Sequence, residues 1–187
     1  MKISPINNLS FQKRLLAKSE VLSENKPMPC NIFLLDPAED FHYFNKMLMG
    51  GEWDDAFLVL STADDFHYYN DKFYVMEDEN ENCLAYAAVS ESLGKNGEIV
   101  SAINKFETVP KYTSLYKTRK VKHIGKTMID FLQKLKCEKQ RKILSVPLPS
   151  YMAVGFYKKQ GFDWNNDYGL VMTKPNFDEQ ARIDFVG

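Results

Sequence analysis

The stretch from Lys120 to Lys136 constrains the fold most, because it reads as a basic loop that turns into an amphipathic helix. Its apolar residues recur at intervals of three and four, which places them on one helical face: Ile124, Met128, Phe131, Leu132 and Leu135. A helix start offers free N–H groups and the positive end of the helix dipole. With Gly125 and the cations Arg119, Lys120, Lys122 and Lys126 around it, this start suits a phosphate or pyrophosphate. A surface helix with a solvated basic entry explains the same pattern.

The residues before this helix predict three antiparallel strands in series. Lys72–Glu77 and Cys83–Ser90 are rich in β-forming residues and flank a polar turn, as in a hairpin. Glu98–Val109 follows as the third strand of a meander. Its alternation predicts that Ile103 and Phe106 lie on opposite faces.

The residues after the helix predict one strand, one helix and a final strand pair. The strand is Arg141–Val146, and we expect it to lie parallel to the third meander strand because a helix connects the two. Ser150 is placed to cap the next helix, which Gly161 ends. Segments 162–164 and 168–173 then pair around a polar turn.

The first part of the chain is less regular. Helical spacing of apolar residues predicts a short helix over Ser10–Leu22, and Pro27 and Pro29 then break it. Asn31–Leu35 reads as a strand. Asp36 and the residues after it carry helix-start signals, so a helix should run to about Met49.

A second helical or irregular element is expected over Trp53–Tyr69. No repeat or linker divides the chain, which predicts one folded domain. The expected organisation is an N-terminal lead-in at 1–29, a domain at 30–174 and a C-terminal tail at 175–187.

Composition excludes several classes of function. The chain has 187 residues and a net charge of -1, whereas general nucleic-acid binding requires a basic surplus. Its 3 cysteines are widely spaced and form neither a disulfide framework nor a zinc pattern. The histidines have no metal-binding spacing, so we expect no metal. Without a membrane span or a signal peptide, the cytoplasm is the expected location.

Two motifs give the chain a resemblance to a known family. The run AVGFYKKQGF, from Ala153 to Phe162, matches A-x-x-F-Y-x-x-x-G-F, a signature of the GNAT superfamily of N-acetyltransferases. The run Lys120–Gly125 resembles the Q/R-x-x-G-x-G/A signature at the start of the central helix of that family, with His123 where the first glycine is usual. Thr108-Val-Pro resembles the V-x-P that ends the fourth strand of the family. The resemblance covers about residues 31–174.

The resemblance implies a fold and a cofactor. The fold would be α/β (α+β), with a mixed, mostly antiparallel sheet, helices on both faces and a splay between the fourth and fifth strands of the family. Acetyl-CoA would be the co-substrate, with its pyrophosphate on the helix start and its pantetheine arm in the splay. By resemblance, the residues that would contact it are Phe106, Thr108, Val109, Lys120, Lys122, His123, Ile124, Gly125, Lys126, Thr127, Ser150 and Phe156.

Acetyl transfer to an amine requires a neutral amine, a polarised thioester carbonyl and a proton for the leaving thiolate. Tyr157 matches the tyrosine that serves the family as general acid. Glu107 is our candidate general base, since the carboxylate falls near the end of the third meander strand. A backbone N–H near Thr108 or Val109 would hold the oxyanion.

The sequence therefore favours an N-acetyltransferase that acts on an amine of a small molecule or a protein by direct attack. Two alternatives remain: a catalytically weak GNAT-fold module that binds CoA or a partner, and an anion- or nucleic-acid-binding module that uses the basic cluster at 119–126. We expect no nucleic-acid or membrane partner, and a homodimer stays open.

Overall fold

The computed structural model describes residues 13–35, 72–109, 121–137, 142–173 and 182–186. The strands of the described part are β1 (Arg14–Ser23), β2 (Lys26–Leu35), β3 (Lys72–Asp78), β4 (Cys83–Leu93), β5 (Ile99–Thr108), β6 (Val121–Lys122), β7 (Lys142–Val146), β8 (Phe162–Asn165), β9 (Gly169–Met172) and β10 (Asp184–Phe185). The helices are α1 (Ile124–Cys137) and α2 (Val154–Lys159), and a 3₁₀ turn at Tyr151–Ala153 precedes α2.

The strands form one mixed sheet in the order β10-β1-β2-β3-β4-β5-β7-β9-β8, and β6 pairs with β1 outside this path. β2 to β5 are successive antiparallel neighbours, which confirms the predicted hairpin and meander. β5 and β7 are parallel, as the connection through α1 requires. The final strand pair, β8 and β9, is antiparallel as predicted.

Helix α1 packs its apolar stripe on one face of this sheet. Met128, Phe131 and Leu132 are fully buried and belong to the main core cluster. The ring of Phe131 meets Tyr74 of β3 edge-on, with centroids 5.6 Å apart. Burial of each such side chain contributes about 1.5–3 kcal/mol, which anchors α1 across the sheet.

The N-terminal segment is a strand, so the helix predicted over Ser10–Leu22 is wrong. β1 pairs with β2 through a two-residue turn at Glu24 and Asn25, which both have positive φ. Alternation places Ala17, Ser19 and Val21 on the core side, and two of these three side chains are too small to give a strong sequence signal.

The two prolines lie inside β2 and do not break it. Pro27 pairs with Leu22 and Pro29 pairs with Glu20. Because proline has no N–H, both pairs must be of the kind that exchanges no hydrogen bonds with the partner strand. The backbone N–H and C=O groups of Leu22 and Glu20 therefore point away from β2, toward the outer edge of β1.

The division of the chain at residues 29 and 174 stays a prediction, while β1 and β10 pair within the same sheet as the other strands.

A bulge in β5 changes which face its last residues present. Ile103 pairs with Val89 and Lys105 with Ala88, so Asn104 is the extra residue of the bulge. Phe106 consequently packs against the same core cluster as Ile103, and the prediction that they lie on opposite faces is wrong.

The pairing between β5 and β7 ends early. It runs from Ile99 and Lys142 to Ala102 and Ser145, whereas β5 continues to Thr108 beside β4 alone. Pro147 follows β7 directly and cannot extend the ladder as a donor. The structure thus has the gap between these two strands that the resemblance implied.

The other face of the sheet also carries buried side chains. Phe73 and Tyr86 are fully buried, and their rings stack with centroids 5.1 Å apart. The helices predicted for Asp36–Met49 and Trp53–Tyr69 lie outside the described residues, so the prediction of helices on both faces stays a prediction. In the described part of the chain, no helix is long and apolar enough to cross a membrane.

The turns at one end of the sheet are tied together by polar contacts. The Tyr168 hydroxyl donates to Glu98 at 2.7 Å and accepts from the backbone N–H of Lys95 at 3.2 Å. The Lys95 ammonium also bonds to Asp167. These contacts join the β4–β5 turn to the β8–β9 turn.

Candidate acyl-CoA site

The gap between β5 and β7 opens into a cavity of about 650 Å³. Its described lining comes from the end of β5, the start of α1 and one face of α2: Phe106, Thr108, Val121, Lys122, His123, Ile124, Gly125, Lys126, Ala153, Phe156, Tyr157, Lys159 and Gln160. This volume is typical of a small-molecule or cofactor site.

One end of the cavity is the start of α1. The N–H of Thr127 donates to the C=O of His123 at 2.8 Å, which is the first hydrogen bond of the helix. The N–H groups of Ile124, Gly125 and Lys126 come before it and therefore have no carbonyl partner within the helix. His123 has φ 68°, the left-handed conformation that glycine adopts most easily. The histidine thus keeps the backbone turn for which the family uses glycine.

Three cations line the cavity, and two of them, at the start of α1, are held in place. Lys122 donates to the side chain of Asn25 at 2.9 Å, and Lys126 bonds to Asp130 one turn along α1 at 2.7 Å. Lys159 lies on the exposed face of α2. Free N–H groups beside fixed cations are suited to bind a pyrophosphate.

The strand side of the gap offers backbone groups. The N–H of Val109 donates to the C=O of Leu84 at 3.0 Å, so it points to β4 and is already used. Successive residues of a strand point their backbone groups to opposite neighbours. Phe106 and Thr108 therefore direct their N–H and C=O groups toward the gap that β7 has left. Thr108, rather than Val109, has the N–H that can serve as an oxyanion donor.

Tyr157 is the buried polar residue of the cavity wall. Its side chain is 4% exposed, and its hydroxyl makes no hydrogen bond within the described part of the chain. Burial raises the pKa of this phenol far above its ordinary value, because ionisation would place a charge in an apolar surrounding. The rings of Phe156 and Phe162 meet it edge-on at 5.2 and 5.4 Å. The Tyr157 side chain is thus held by ring contacts, and its hydroxyl stays protonated at neutral pH.

Gly125 is required for the packing of this wall. A Cβ on Gly125 would lie 3.2 Å from Phe156 Cζ and 3.6 Å from Phe106 Cζ. The two phenylalanine rings stack with centroids 6.0 Å apart, so they line the cavity next to the first turn of α1. The absence of a side chain at Gly125 is what lets α2 approach α1.

The candidate bases lie elsewhere. Glu107 is half-buried and accepts a hydrogen bond from the Tyr86 hydroxyl at 3.2 Å, on the sheet face away from Phe106. It is not among the described residues that line the cavity. Glu98 is another carboxylate of this strand region, but it lies at the opposite end of β5 and is bonded to Tyr168. The role of Glu107 as general base stays a prediction.

The structure brings together most of the residues expected to contact the cofactor. Those that line the cavity are Phe106, Thr108, Lys122, His123, Ile124, Gly125, Lys126 and Phe156. Thr127 faces a second cavity, and Val109 is fully buried beside β4. Ser150 is exposed, and its hydroxyl makes no capping hydrogen bond, which contradicts its predicted role as a side-chain cap. Lys120 lies outside the described residues.

Three further residues line the cavity and were not predicted from the sequence: Ala153, Lys159 and Gln160. The signal was present: Ala153, Phe156, Tyr157 and Gln160 recur at helical spacing, so they share one face of the 150–160 segment.

The described cysteines are buried and lie outside the residues that line the cavity. Cys30 and Cys83 are free and buried. The pKa of Cys30 is raised to about 12, chiefly by burial and also by the charge of Glu20, against the opposing effect of a hydrogen bond with Ser19. A thiol with such a pKa is a poor nucleophile at neutral pH. Within the described residues, no three His, Cys, Asp or Glu side chains are grouped to hold a metal ion.

Comparison with known proteins gives matches at the level of structure. No protein-family model matches the sequence, and no curated protein matches it. AtaTR bound with AcCoA has a TM-score of 0.56 and 15% identity, over 76% of this chain and 91% of the other. AtaT complexed with acetyl-methionyl-tRNAfMet has a TM-score of 0.54 and 12% identity, over 76% and 93%.

A third structural neighbour is a GCN5-related glucosamine N-acetyltransferase region of a fungal multi-domain β-N-acetylglucosaminidase. It has a TM-score of 0.52 and 14% identity, over 75% of this chain and 18% of that longer one. The identities are low, so the likeness concerns the fold. Together with the strand order and the gap between β5 and β7, these matches show that the chain has the fold of the GNAT acetyltransferases.

Proposed function

We propose that the protein is an N-acetyltransferase that uses acetyl-CoA as its acetyl donor. The observation that carries this proposal is the hydroxyl of the buried Tyr157 side chain, which makes no hydrogen bond within the described residues. The tyrosine stands in the wall of a cavity whose other end is the start of α1. A hydroxyl that faces a cavity without a protein partner is available as a proton donor to a bound molecule.

The residues present fit acetyl-CoA. The N–H groups of Ile124, Gly125 and Lys126, with Lys122 beside them, would hold the pyrophosphate. The backbone groups of Phe106 and the C=O of Thr108 would pair with the amides of the pantetheine arm in the gap beside β5. Acetyl-CoA supplies the activated acetyl group as a thioester.

The reaction then needs little from the protein beyond positioning. The neutral amine attacks the thioester carbonyl carbon, a C–N bond forms and the C–S bond breaks. The Thr108 N–H stabilises charge on the carbonyl oxygen. Tyr157 gives its proton to the departing thiolate and then regains one from solvent. The attacking nitrogen loses its proton to a base, for which Glu107 is our candidate.

The proposed acceptor is an amine, and the fold does not say which one. One structural neighbour is complexed with an acetylated methionyl-tRNA and another is a glucosamine N-acetyltransferase, so the fold does not select the acceptor. The net charge of -1 supports our expectation that this chain does not act on nucleic acid in general. The cytoplasm remains the location that we propose.

Tyr157→Phe tests the proposal. We expect acetyl-CoA affinity by calorimetry to stay within about twofold, since the ring and its packing remain, while acetyl transfer to a panel of amines falls about 10²–10⁴-fold. Tyr151→Phe is the matched control, because Tyr151 is 95% exposed in the turn before α2 and should leave both quantities unchanged.

Each result has a distinct meaning. Turnover that survives Tyr157→Phe unchanged would remove the tyrosine from the mechanism. Binding of acetyl-CoA without turnover on any amine would favour the CoA-binding module. A wild-type protein that does not bind acetyl-CoA at millimolar concentration would overturn the proposed function.

A further inference from the structure

A second cavity lies on the other side of the α1 start. Its volume is about 360 Å³, and its described lining is Ser19, Glu20, Val21, Leu22, Pro27, His123, Lys126, Thr127, Asp130 and Arg182. It shares His123 and Lys126 with the acyl-CoA cavity, so one helix start separates the two. None of the steps proposed for acetyl transfer uses this second cavity.

The floor of the second cavity is an open stretch of strand edge. β10 pairs with Ala17 and Lys18, and β6 pairs with Leu22 and Ser23. In the described sheet, the stretch of β1 between these pairs has no neighbour on its outer side. The N–H and C=O of Glu20 point to this side, since Pro29 opposite cannot exchange hydrogen bonds with it. The cavity thus has a backbone donor and acceptor available to a ligand.

Thr127 adds a polar side chain to the wall. It is 7% exposed and lines the cavity, and its hydroxyl has no hydrogen bond within the part of the chain that the structure describes. A threonine inside a helix often satisfies its hydroxyl on the carbonyl one turn earlier. Here the carbonyl of His123 accepts the backbone N–H of Thr127 at 2.8 Å. The hydroxyl is thus open to a molecule in the cavity.

The charges at the cavity favour an anion. Asp130 is the acid of the inner wall, and its carboxylate is bound to Lys126 at 2.7 Å. Arg182 lies at the rim, and no ion pair joins it to another described residue. The Glu20 side chain is exposed, on the opposite side of β1 from Ser19 and Val21. The groups left to a ligand are therefore mainly donors: the guanidinium, the Thr127 hydroxyl and a backbone N–H.

We propose that this second cavity binds a phosphate monoester. Arg182 would bind two of its oxygens side by side, and the Thr127 hydroxyl and Glu20 N–H would bind the others. The monoester has two conceivable sources: the 3′-phosphate of CoA itself, which rests on the proposed function, or a separate phosphorylated small molecule. In either case the shared residue Lys126 couples this cavity to the acyl-CoA site.

The test compares Arg182→Ala and Thr127→Val with the wild-type protein. Thr127→Val keeps the shape of the side chain and removes the hydroxyl. Arg14→Ala is the matched control, because Arg14 is an exposed cation of the same sheet that lines neither cavity. Calorimetry is carried out with acetyl-CoA, with its analogue lacking the 3′-phosphate, and with inorganic phosphate. Thermal unfolding of each variant checks that it is folded.

We expect both variants to lose about tenfold in affinity for the phosphate-bearing ligand, while Arg14→Ala keeps it. If CoA is the source, wild-type protein binds acetyl-CoA more tightly than the analogue, and the variants bind the two equally. If the source is separate, inorganic phosphate binds to wild-type protein saturated with acetyl-CoA, and the variants lose this binding.

Variants that bind all three ligands like the wild-type protein would overturn the proposal. So would a wild-type protein that neither distinguishes acetyl-CoA from its analogue nor binds phosphate. A wild-type protein that binds phosphate through Arg182 and Thr127 but not acetyl-CoA would instead overturn the proposed acetyl transfer and keep the second site.

Discussion

The ring of Phe156 lies against the backbone of Gly125, with its Cζ 3.2 Å from where a Cβ would stand. We expect Gly125→Ala to change stability little, since a gain in helix propensity of about 1 kcal/mol opposes the tight contact. Gly125→Val should destabilise by about 1–3 kcal/mol and weaken acetyl-CoA binding, because it forces Phe156 into the cavity. Urea unfolding and calorimetry measure the two effects.

Gly155→Ala is the control for this pair. Gly155 lies on the exposed face of α2, and a Cβ there would meet nothing within 4 Å. The substitution should stabilise the protein by about 0.5–1 kcal/mol and leave binding unchanged. A Gly125→Val variant that binds acetyl-CoA as well as Gly155→Ala does would show that Phe156 does not shape the site.

Two substitutions at His123 distinguish the effect of its backbone conformation from the effect of its imidazole. Its left-handed φ of 68° costs a non-glycine residue about 1–2 kcal/mol. We expect His123→Gly to raise the free energy of unfolding and to tighten acetyl-CoA binding, whereas His123→Ala, which keeps a Cβ, does neither. Equal effects of the two substitutions, in denaturation and in calorimetry, would assign the role to the imidazole instead.

Stability should fall at alkaline pH. Burial raises the pKa of Cys30 to about 12, and burial also raises that of Tyr74 to about 12, with Lys72 opposing and Glu91 adding to it. The pKa of Tyr157 is raised as well. These groups lose their protons first in the unfolded chain, where the pKa values are about 8.5 for Cys and 10 for Tyr. Their stabilisation is therefore complete below those values and is lost as pH rises from them through the raised pKa values of the folded state.

Between its unfolded and folded pKa values, each such group lowers the free energy of unfolding by about 1.4 kcal/mol per pH unit. We expect the decrease that begins near pH 9 to be smaller in Cys30→Ala than in the wild-type protein. Urea unfolding from pH 7 to pH 10 measures this difference. Val75→Ala is the control, since Val75 is a fully buried strand residue that does not titrate. If both variants keep the wild-type slope, the Cys30 thiol is not responsible.

Acid should weaken the contact between the two turns. The hydrogen bond from Tyr168, with help from backbone N–H groups, lowers the pKa of Glu98. A lowered pKa in the folded state contributes stability above the unfolded value, about 4.3, and this contribution is lost as pH falls through the folded value. Tyr168→Phe should therefore reduce stability at pH 7 and make little difference at pH 3. An equal loss at both pH values would mean that packing, not the hydrogen bond, is what Tyr168 provides.

The sequence predicted the parts of the fold whose signals are local. The hairpin of β3 and β4 has β-forming residues on both sides of a polar turn, and α1 has an uninterrupted apolar stripe. The parallel pairing of β5 and β7 followed from the helix between them. The residues around Tyr157 came from a motif, because a tyrosine on a helix has no chemistry that spacing alone reveals.

The features that failed depend on distant contacts. β1 is a strand because β2 and β10 pair with it, and its inward residues Ala17 and Ser19 give no alternating apolar pattern. The prolines of β2 were read as breakers, although two prolines spaced two apart leave the same edge of a strand without donors. The second cavity joins β1, α1 and Arg182, which are far apart in the chain.

The bulge at Asn104 has a consequence for how this chain tolerates change. Residues three apart on a regular strand face opposite sides, yet Ile103 and Phe106 share one side because the bulge inserts Asn104 between them. Deleting Asn104 would bring Ile103 and Lys105 into regular alternation opposite Val89 and Ala88. Phe106 would stay opposite Ala87 and Thr108 opposite Ala85, so both would still face the cavity. A single codon lost at this position would thus remove the irregularity of the strand and leave the cavity wall in place.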